Sequence, residues 1–226
     1  MRVIECEQGS AEWLQARCGR ITASRICDVV ATIKKGEAKA REHYRAEIVG
    51  ERITKDTQDH YMTWYMRQGR DREPEARMAY GLKHRVIVEE VGFVLHPVMN
   101  FAGSSPDGLV PKGGIEIKCP KTVTQVEYLK AKIIPPDYEL QMVWNMICCE
   151  REWWDFFSYH PKLPALKIRL HRNEETVAFV EAAVRQFESE VLEDMALVSG
   201  KRPRKKKLTL VPPTVTQQLQ ASLELA

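Results

Sequence analysis

Apolar residues recur along the chain at two spacings, one helical and one alternating. Ile26, Val29, Val30 and Ile33 fall at i, i+3, i+4 and i+7 and predict a helix entered through Ile21-Thr22-Ala23-Ser24. Ahead of it, Ser10 caps a short helix ending near Cys18, with Glu12 in its first turn and Gly19 as its stop. Trp13 and Arg17 lie four apart there and share a face. Residues 37–53 form a charged helical stretch on Tyr44, Ile48 and Ile53. Residues 61–82 place Met62, Tyr65, Met66 and Gly69 on one side, and Pro74 predicts a kink or a new helix beginning there. A short helix over 123–132 precedes a firmer one over 137–149, which carries Tyr138, Gln141, Met142, Asn145 and Met146. Asn173 caps a long helix with a buried stripe of Val177, Val180, Val184, Phe187 and Val191, stopped by Gly200.

The alternating stretches predict strands at Val86–Val88, Val91–His96, 152–160 and 166–172. The chain turns on 103–121, Gly-Ser-Ser-Pro-Asp-Gly-Leu-Val-Pro-Lys-Gly-Gly-Ile-Glu-Ile-Lys-Cys-Pro-Lys. Pro106-Asp107-Gly108 is turn chemistry, Gly113-Gly114 is expected to reverse the chain, and Cys119-Pro120 to close the strand that follows. In Ile115-Glu116-Ile117-Lys118 the period of two sends both isoleucines to the core and brings Glu116 and Lys118 out together on the opposite face. Strands interleaved with helices give a mixed α/β domain.

With 226 residues and 44% hydrophobic content, the chain has enough apolar mass for one core, expected over 1–200, with 201–226 as a tail. No apolar run approaches a membrane span and the first residues lack a signal-peptide pattern, so a cytoplasmic protein is expected. The six cysteines, at 6, 18, 27, 119, 148 and 149, show no Cys-x-x-Cys spacing and are read as reduced thiols; nothing after Cys149 supplies ligands for an iron–sulfur cluster. The net charge of +3 comes from Lys201–Lys207: without the six basic residues and the lone Glu224 of the tail, residues 1–200 stand at −2. A body this neutral does not bind nucleic acid through bulk charge, so local patches or the tail must supply any affinity.

Asp107, Glu116 and Lys118 place two carboxylates and an amine on one hairpin, an oxygen cluster of the kind hard divalent ions take. The same residues also read as a solvated strand face with an Asx-type turn. Thr22 and Ser24 stand at a predicted helix N-terminus, where free N–H groups favour an anion, and an arginine on the preceding helix, Arg17, could complete a phosphate pocket; the spacing alone favours a plain cap and a surface arginine. Glu73 sits beside the helix irregularity at Pro74, aimed inward or solvated in a charge-rich run.

The segments in order are more specific than any one of them. Trp13-x-x-x-Arg17-x-Gly19-x-Ile21-Thr22-Ala23-Ser24, Gly69-x-x-x-Glu73-x-x-Ala76-Arg77, Ser105-Pro106-Asp107-Gly108, Glu116-Ile117-Lys118-Cys119-Pro120 and Tyr138-x-x-Gln141 resemble the phage lambda exonuclease family, viral recombination nucleases of the PD-(D/E)xK superfamily. The resemblance covers residues 5 to about 195. It implies a mixed central sheet flanked by helices. Asp107, Glu116 and the Ile117 carbonyl are implied as ligands of one magnesium ion, and Asp107 with Glu73 as those of a second, with manganese as a substitute. Lys118 is implied to orient and help deprotonate the attacking water, as cation or as base. Arg17 and Ser24, with Thr22 beside them, are implied to hold a 5′-terminal phosphate, Gln141 to reach towards the site, and Met66 to be an apolar wedge between strands.

The implied activity is processive 5′→3′ digestion of one strand of duplex DNA from a 5′-phosphorylated end, leaving 3′ overhangs and releasing mononucleotides. A homotrimeric ring, a single-strand annealing partner and a phage or prophage setting come with it. Two other readings remain: an endonuclease of the same superfamily, and a non-catalytic DNA-binding recombination subunit. Pro74 directly after Glu73, the Lys34-Lys35 turn and the basic tail depart from the family pattern. The tail either contacts DNA phosphates or is a solvated end.

Overall fold

The structure, a computed structural model, describes residues 1–32, 37–57 and 64–200, the side chains of Tyr65 and Met66 excepted. The expectations for Ile33, Lys34-Lys35, Met62, the Met66 wedge and the tail from 201 onward lie outside that description.

In chain order the elements begin with strand β1 (Arg2–Ile4), helix α1 (Ala11–Arg17) and strand β2 (Ile21–Thr22). A 3-10 turn (Ala23–Arg25) leads into α2 (Ile26–Val30), followed by α3 (Lys39–Thr54) and α4 (Trp64–His84). Strands β3 (Phe93–Leu95), β4 (Ala102–Ser104), β5 (Gly108–Val110) and β6 (Gly113–Lys118) come next. The chain then forms α5 (Thr122–Ala131), α6 (Pro136–Cys148), β7 (Trp153–His160), β8 (Leu163–His171) and α7 (Glu174–Val198). The expected caps form: Ser10 accepts from Trp13 N and Asn173 from Thr176 N, and Gly19 and Gly200 take the positive φ that ends a helix.

The strands form two four-stranded sheets, ordered β1-β3-β4-β2 and β5-β6-β7-β8. The second carries the chemistry. In it β6 runs parallel to β7 and antiparallel to β5, and β8 closes the edge antiparallel to β7. Both of its faces are covered. Ile115, Ile117 and Phe157 pack with Ala76 and Tyr80 of α4, while Trp154 and Phe156 join the larger core with Met142 and Met146 of α6 and the Val180–Val191 stripe of α7. Each fully buried aromatic in these layers contributes about 2–3 kcal/mol through the apolar surface it withdraws from water.

The structure corrects the sequence reading at five places. Gly113 and Gly114 do not turn the chain; Pro111-Lys112 does, with Lys112 at φ 62, and the glycines are the first residues of β6. They are glycines because Trp153 and Trp154 lie on them: a Cβ at Gly114 would stand 2.3 Å from the Trp154 ring. Glu116 does not emerge on a solvated face, because β6 is an inner strand covered on both sides and Glu116 is 0% exposed. Pro74 does not break α4, which runs through it from Trp64 to His84. Val86–Val88 is no strand; Val86 and Val88 pack against the sheet's side chains, and the next residue, Glu89, makes an isolated bridge to Leu109. The helix begun at Ile26 ends at Val30, shorter than its stripe suggested.

Candidate active site

Asp107 and Glu116 reach the same place from the two arms of the β5–β6 hairpin. Asp107 immediately precedes β5, and its Oδ2 accepts from the Ile117 backbone N–H at 2.6 Å, which fixes the carboxylate against β6. Glu116 lies within β6, and its Oε1 accepts from Lys118 Nζ at 2.5 Å. These two side chains share a face because they are two apart on a strand.

Glu73 enters from α4. Arg77, one turn later, donates to Glu73 Oε1 at 2.6 Å and to the Asp107 backbone carbonyl at 2.9 Å, and also pairs with Glu90 at 2.9 Å. One guanidinium thus ties the helix carboxylate to the segment that carries Asp107. Glu73, Asp107, Ile117 and Lys118 line one cleft of about 590 Å³, together with Arg70, Lys121, Thr124, Tyr128 and Tyr138.

Helix α6 supplies the opposite wall. Tyr138 lies under the Lys118 ammonium, 4.7 Å from nitrogen to ring centroid, and Asn145 Nδ2 donates to Glu116 Oε2 at 3.1 Å. Gln141, half-buried, falls between them on the same helix face. Sequence reasoning left Asn145 and Arg77 without a role. The signal was present: Tyr138, Gln141 and Asn145 stand at i, i+3 and i+7, and Arg77 stands four residues after Glu73.

The Arg17 region meets the segment leading into Asp107 at Ser105. Arg17 stacks on the Trp13 ring, 4.3 Å from its centroid, and both donate to Ser105 Oγ, at 3.1 and 2.9 Å. Ser24 is exposed. Thr22 departs from expectation: it is buried, makes no side-chain cap, and its N–H donates to Tyr44 Oη at 3.1 Å. With a 3-10 turn and only five residues of α2 behind it, this is a weak helix terminus.

Electrostatics set the cleft apart from an ordinary strand face. Burial, then the Asp107 charge, push the Glu73 carboxyl up to about 7 against Arg77 and Lys118. Burial likewise raises Glu116 to about 7, with Lys118 pulling against it and Asp107 adding to it. Asp107 is raised by burial despite Lys118, the Ile117 N–H and Arg77. Burial also works against the Lys118 ammonium, but Glu116 and Asp107 outweigh it and hold the amine above its ordinary value. Three carboxylates that resist ionisation, Glu73 and Asp107 lining the cleft and Glu116 buried behind Lys118, form a site short of positive charge. All-oxygen donors suit magnesium, and the Asp107 and Glu116 carboxylates with Glu73 are the groups that fit it. They are not preassembled: among the described residues no three His, Cys, Asp or Glu side chains stand as a metal cage. Each acid instead holds a protein partner, namely Arg77, the Ile117 N–H, or Lys118 with Asn145.

A mixed α/β core that presents Asp107 before a hairpin strand ending Glu116-Ile117-Lys118 is that of a PD-(D/E)xK nuclease fold. Residues 12–152 match the YqaJ-like viral recombinase domain, and the chain belongs to this family, which is of the lambda exonuclease type. It is similar to the alkaline exonuclease LHK-Exo of Laribacter hongkongensis, with 36% identity over 84% of this chain and 96% of that one and a TM-score of 0.77. The same protein in complex with dAMP superposes with a TM-score of 0.78. A phage-related exonuclease from Haemophilus somnus 129PT shares the fold at 12% identity, with a TM-score of 0.60 over 78% of this chain. No curated protein sequence matches the chain significantly. Among the described residues, no helix is long and apolar enough to cross a membrane.

Proposed function

We propose that the chain is a magnesium-dependent exonuclease that digests one strand of duplex DNA from a 5′-phosphorylated end, releasing mononucleotides and leaving 3′ overhangs for recombination. The observation that carries this reading is the single cleft in which Glu73, Asp107, Ile117 and Lys118 meet, with Glu116 buried behind Lys118. The family supports a recombination nuclease. The dAMP held by the Laribacter enzyme supports a mononucleotide-sized reaction site.

In this reading Asp107, Glu116 and the Ile117 carbonyl hold one divalent cation, and Asp107 with Glu73 a second; manganese substitutes for magnesium. The cations acidify water and neutralise charge developing on the phosphate. Lys118, donor to Glu116 and seated over Tyr138, presents its ammonium to the same phosphate and water. Arg70 and Lys121 bring further positive charge to the cleft wall. Gln141 reaches in from α6. Arg17, with Ser24 near it, takes the terminal 5′-phosphate, and its link to Ser105 sets that grip at a fixed distance from Asp107. A homotrimer that encloses the duplex gives processivity, and a single-strand annealing protein receives the exposed 3′ strand.

The test is digestion of a linear duplex with and without 5′-phosphate, beside a closed circle, with magnesium and then with chelator. Magnesium-dependent nucleotide release, faster from the phosphorylated end and absent on the circle, is expected. Cutting of the circle assigns an endonuclease instead, and an inert protein removes the enzymatic reading.

A further inference from the structure

The Glu116 carboxylate is held by both oxygens from two different elements. Lys118, on the same strand and partly exposed in the cleft, takes Oε1; Asn145, on α6 and 0% exposed, takes Oε2. The other end of the Asn145 amide is unused: its Oδ1 is fully enclosed and has no hydrogen-bond partner. Its helix neighbours Met142, Val143, Trp144, Met146 and Ile147 are all buried. In such surroundings an enclosed carbonyl without a donor costs folding free energy that a leucine of similar shape would not. Packing therefore does not account for an amide here, and its contact with Glu116 does.

A glutamate side chain has a broad terminal torsion, so its carboxylate turns unless something outside it fixes the plane. Lys118 cannot do this alone, because it occupies the oxygen on the cleft side. We propose that Asn145 is a positioning residue of the active site, holding Glu116 by Oε2 so that Oε1 stays turned towards Lys118 and the cation-binding side of the cleft. The inference rests on the reading of Glu116 as a cation ligand. Partners behind a ligating carboxylate act in this way on metal sites generally.

The experiment uses the full chain with Asn145→Leu, which removes the donor without leaving a cavity, and Asn145→Ala, which removes the donor and adds neither bulk nor charge. Glu116→Gln is the reference. Manganese binding without DNA is measured by paramagnetic resonance of the free ion, alongside thermal melting and a magnesium titration of nucleotide release. Asn145→Leu is expected to melt no lower than the parent, to bind manganese about 10- to 100-fold more weakly, and to need correspondingly more magnesium, with KM for duplex ends unchanged. If that variant melts early, Asn145→Ala is expected to show the same weakening. A folded variant with parental manganese affinity and magnesium titration overturns the proposal. If Glu116→Gln also binds manganese like the parent, the fault lies in the reading of Glu116; if it alone loses binding, the fault lies with Asn145.

Discussion

Arg17 and Ser105 are joined by a 3.1 Å hydrogen bond, and Ser105 stands two residues before Asp107. The same hydroxyl accepts from Trp13, so the α1 arginine, its stacking partner and the approach to the cleft form one unit. Burial lowers the Arg17 pKa from its ordinary value, against the pull of Tyr44 and Glu51. A guanidinium that burial has stripped of much of its water favours an anion. Arg17→Ala is expected to slow digestion of 5′-phosphorylated duplex about tenfold or more and to erase its advantage over a 5′-hydroxyl end, measured as initial nucleotide release on the two substrates. A variant that keeps the preference shows that the phosphate is held elsewhere.

Lys118 both donates to Glu116 and lines the cleft. Lys118→Ala is expected to fold and to lose about a hundred- to a thousandfold in nucleotide release, the size of effect seen when a charge-stabilising donor is removed. Chelation is expected to abolish the parent activity and magnesium to restore it. Circular dichroism checks that the variant is folded, and residual activity within a few-fold of the parent would take Lys118 out of the chemistry.

The apposition of Gly114 and Trp154 fixes the strand that carries Glu116. A methyl group at Gly114 meets the fully buried Trp154 ring at 2.3 Å. Gly114→Ala is expected to destabilise the fold by about 1–3 kcal/mol, read as a lower urea midpoint at unchanged slope.

Much of this fold was legible because strong local signals decided it. The Ser10 and Asn173 caps, the α7 valine stripe and the β7–β8 pair appear where the patterns put them. What failed was whatever depends on the neighbours of a segment. Gly113-Gly114 reads as a turn in isolation, and only the tryptophans of β7 make it a strand. Glu116-x-Lys118 reads as a wet face until α6 is seen to cover it, which a period of two cannot reveal. The short strands β1, β2, β4 and β5 hold two or three residues each and carry no periodic signal of their own. For the site, ordered motifs named the acids and the lysine, whereas Asn145 and Arg77 act through geometry between elements and had to be seen in place.

Asp155 is a buried acid of the same sheet that takes no part in the cleft. Burial works against its charge, but hydrogen bonds from Arg169 and Tyr80 outweigh it and hold the carboxyl below its ordinary value. Arg169 donates to both of its oxygens, at 2.7 and 2.9 Å, and Tyr80 Oη to Oδ2 at 2.7 Å. Because the folded pKa is the depressed one, this stabilisation is fully present above the unfolded value of about 3.9 and is lost as pH falls through the folded value. Asp155→Asn is expected to cost about 3 kcal/mol near neutral pH and to flatten the fall in melting temperature below pH 4. Parallel pH–melting curves for the two proteins would show that Asp155 is not responsible for the acid limb.

Pro74 and Glu73 form the least comfortable joint in α4. Proline supplies no N–H to the Arg70 carbonyl, and its ring disfavours a helical conformation at the residue before it, which is Glu73. The helix nevertheless runs through, held by Ala76 and Tyr80 packed under the sheet and by Arg77 bridging Glu73 to the Asp107 carbonyl. Local discomfort at a residue that faces the cleft has a testable consequence. Pro74→Ala restores the missing hydrogen bond and is expected to stabilise the protein by about 1–3 kcal/mol. If the proline also sets the backbone from which Glu73 reaches Asp107, the stabilised variant loses nucleotide release severalfold and needs more magnesium for half its maximal rate. A higher melting temperature with unchanged activity and magnesium demand confines Pro74 to the fold, and a melting temperature that does not rise shows that the helix has already absorbed the proline without strain.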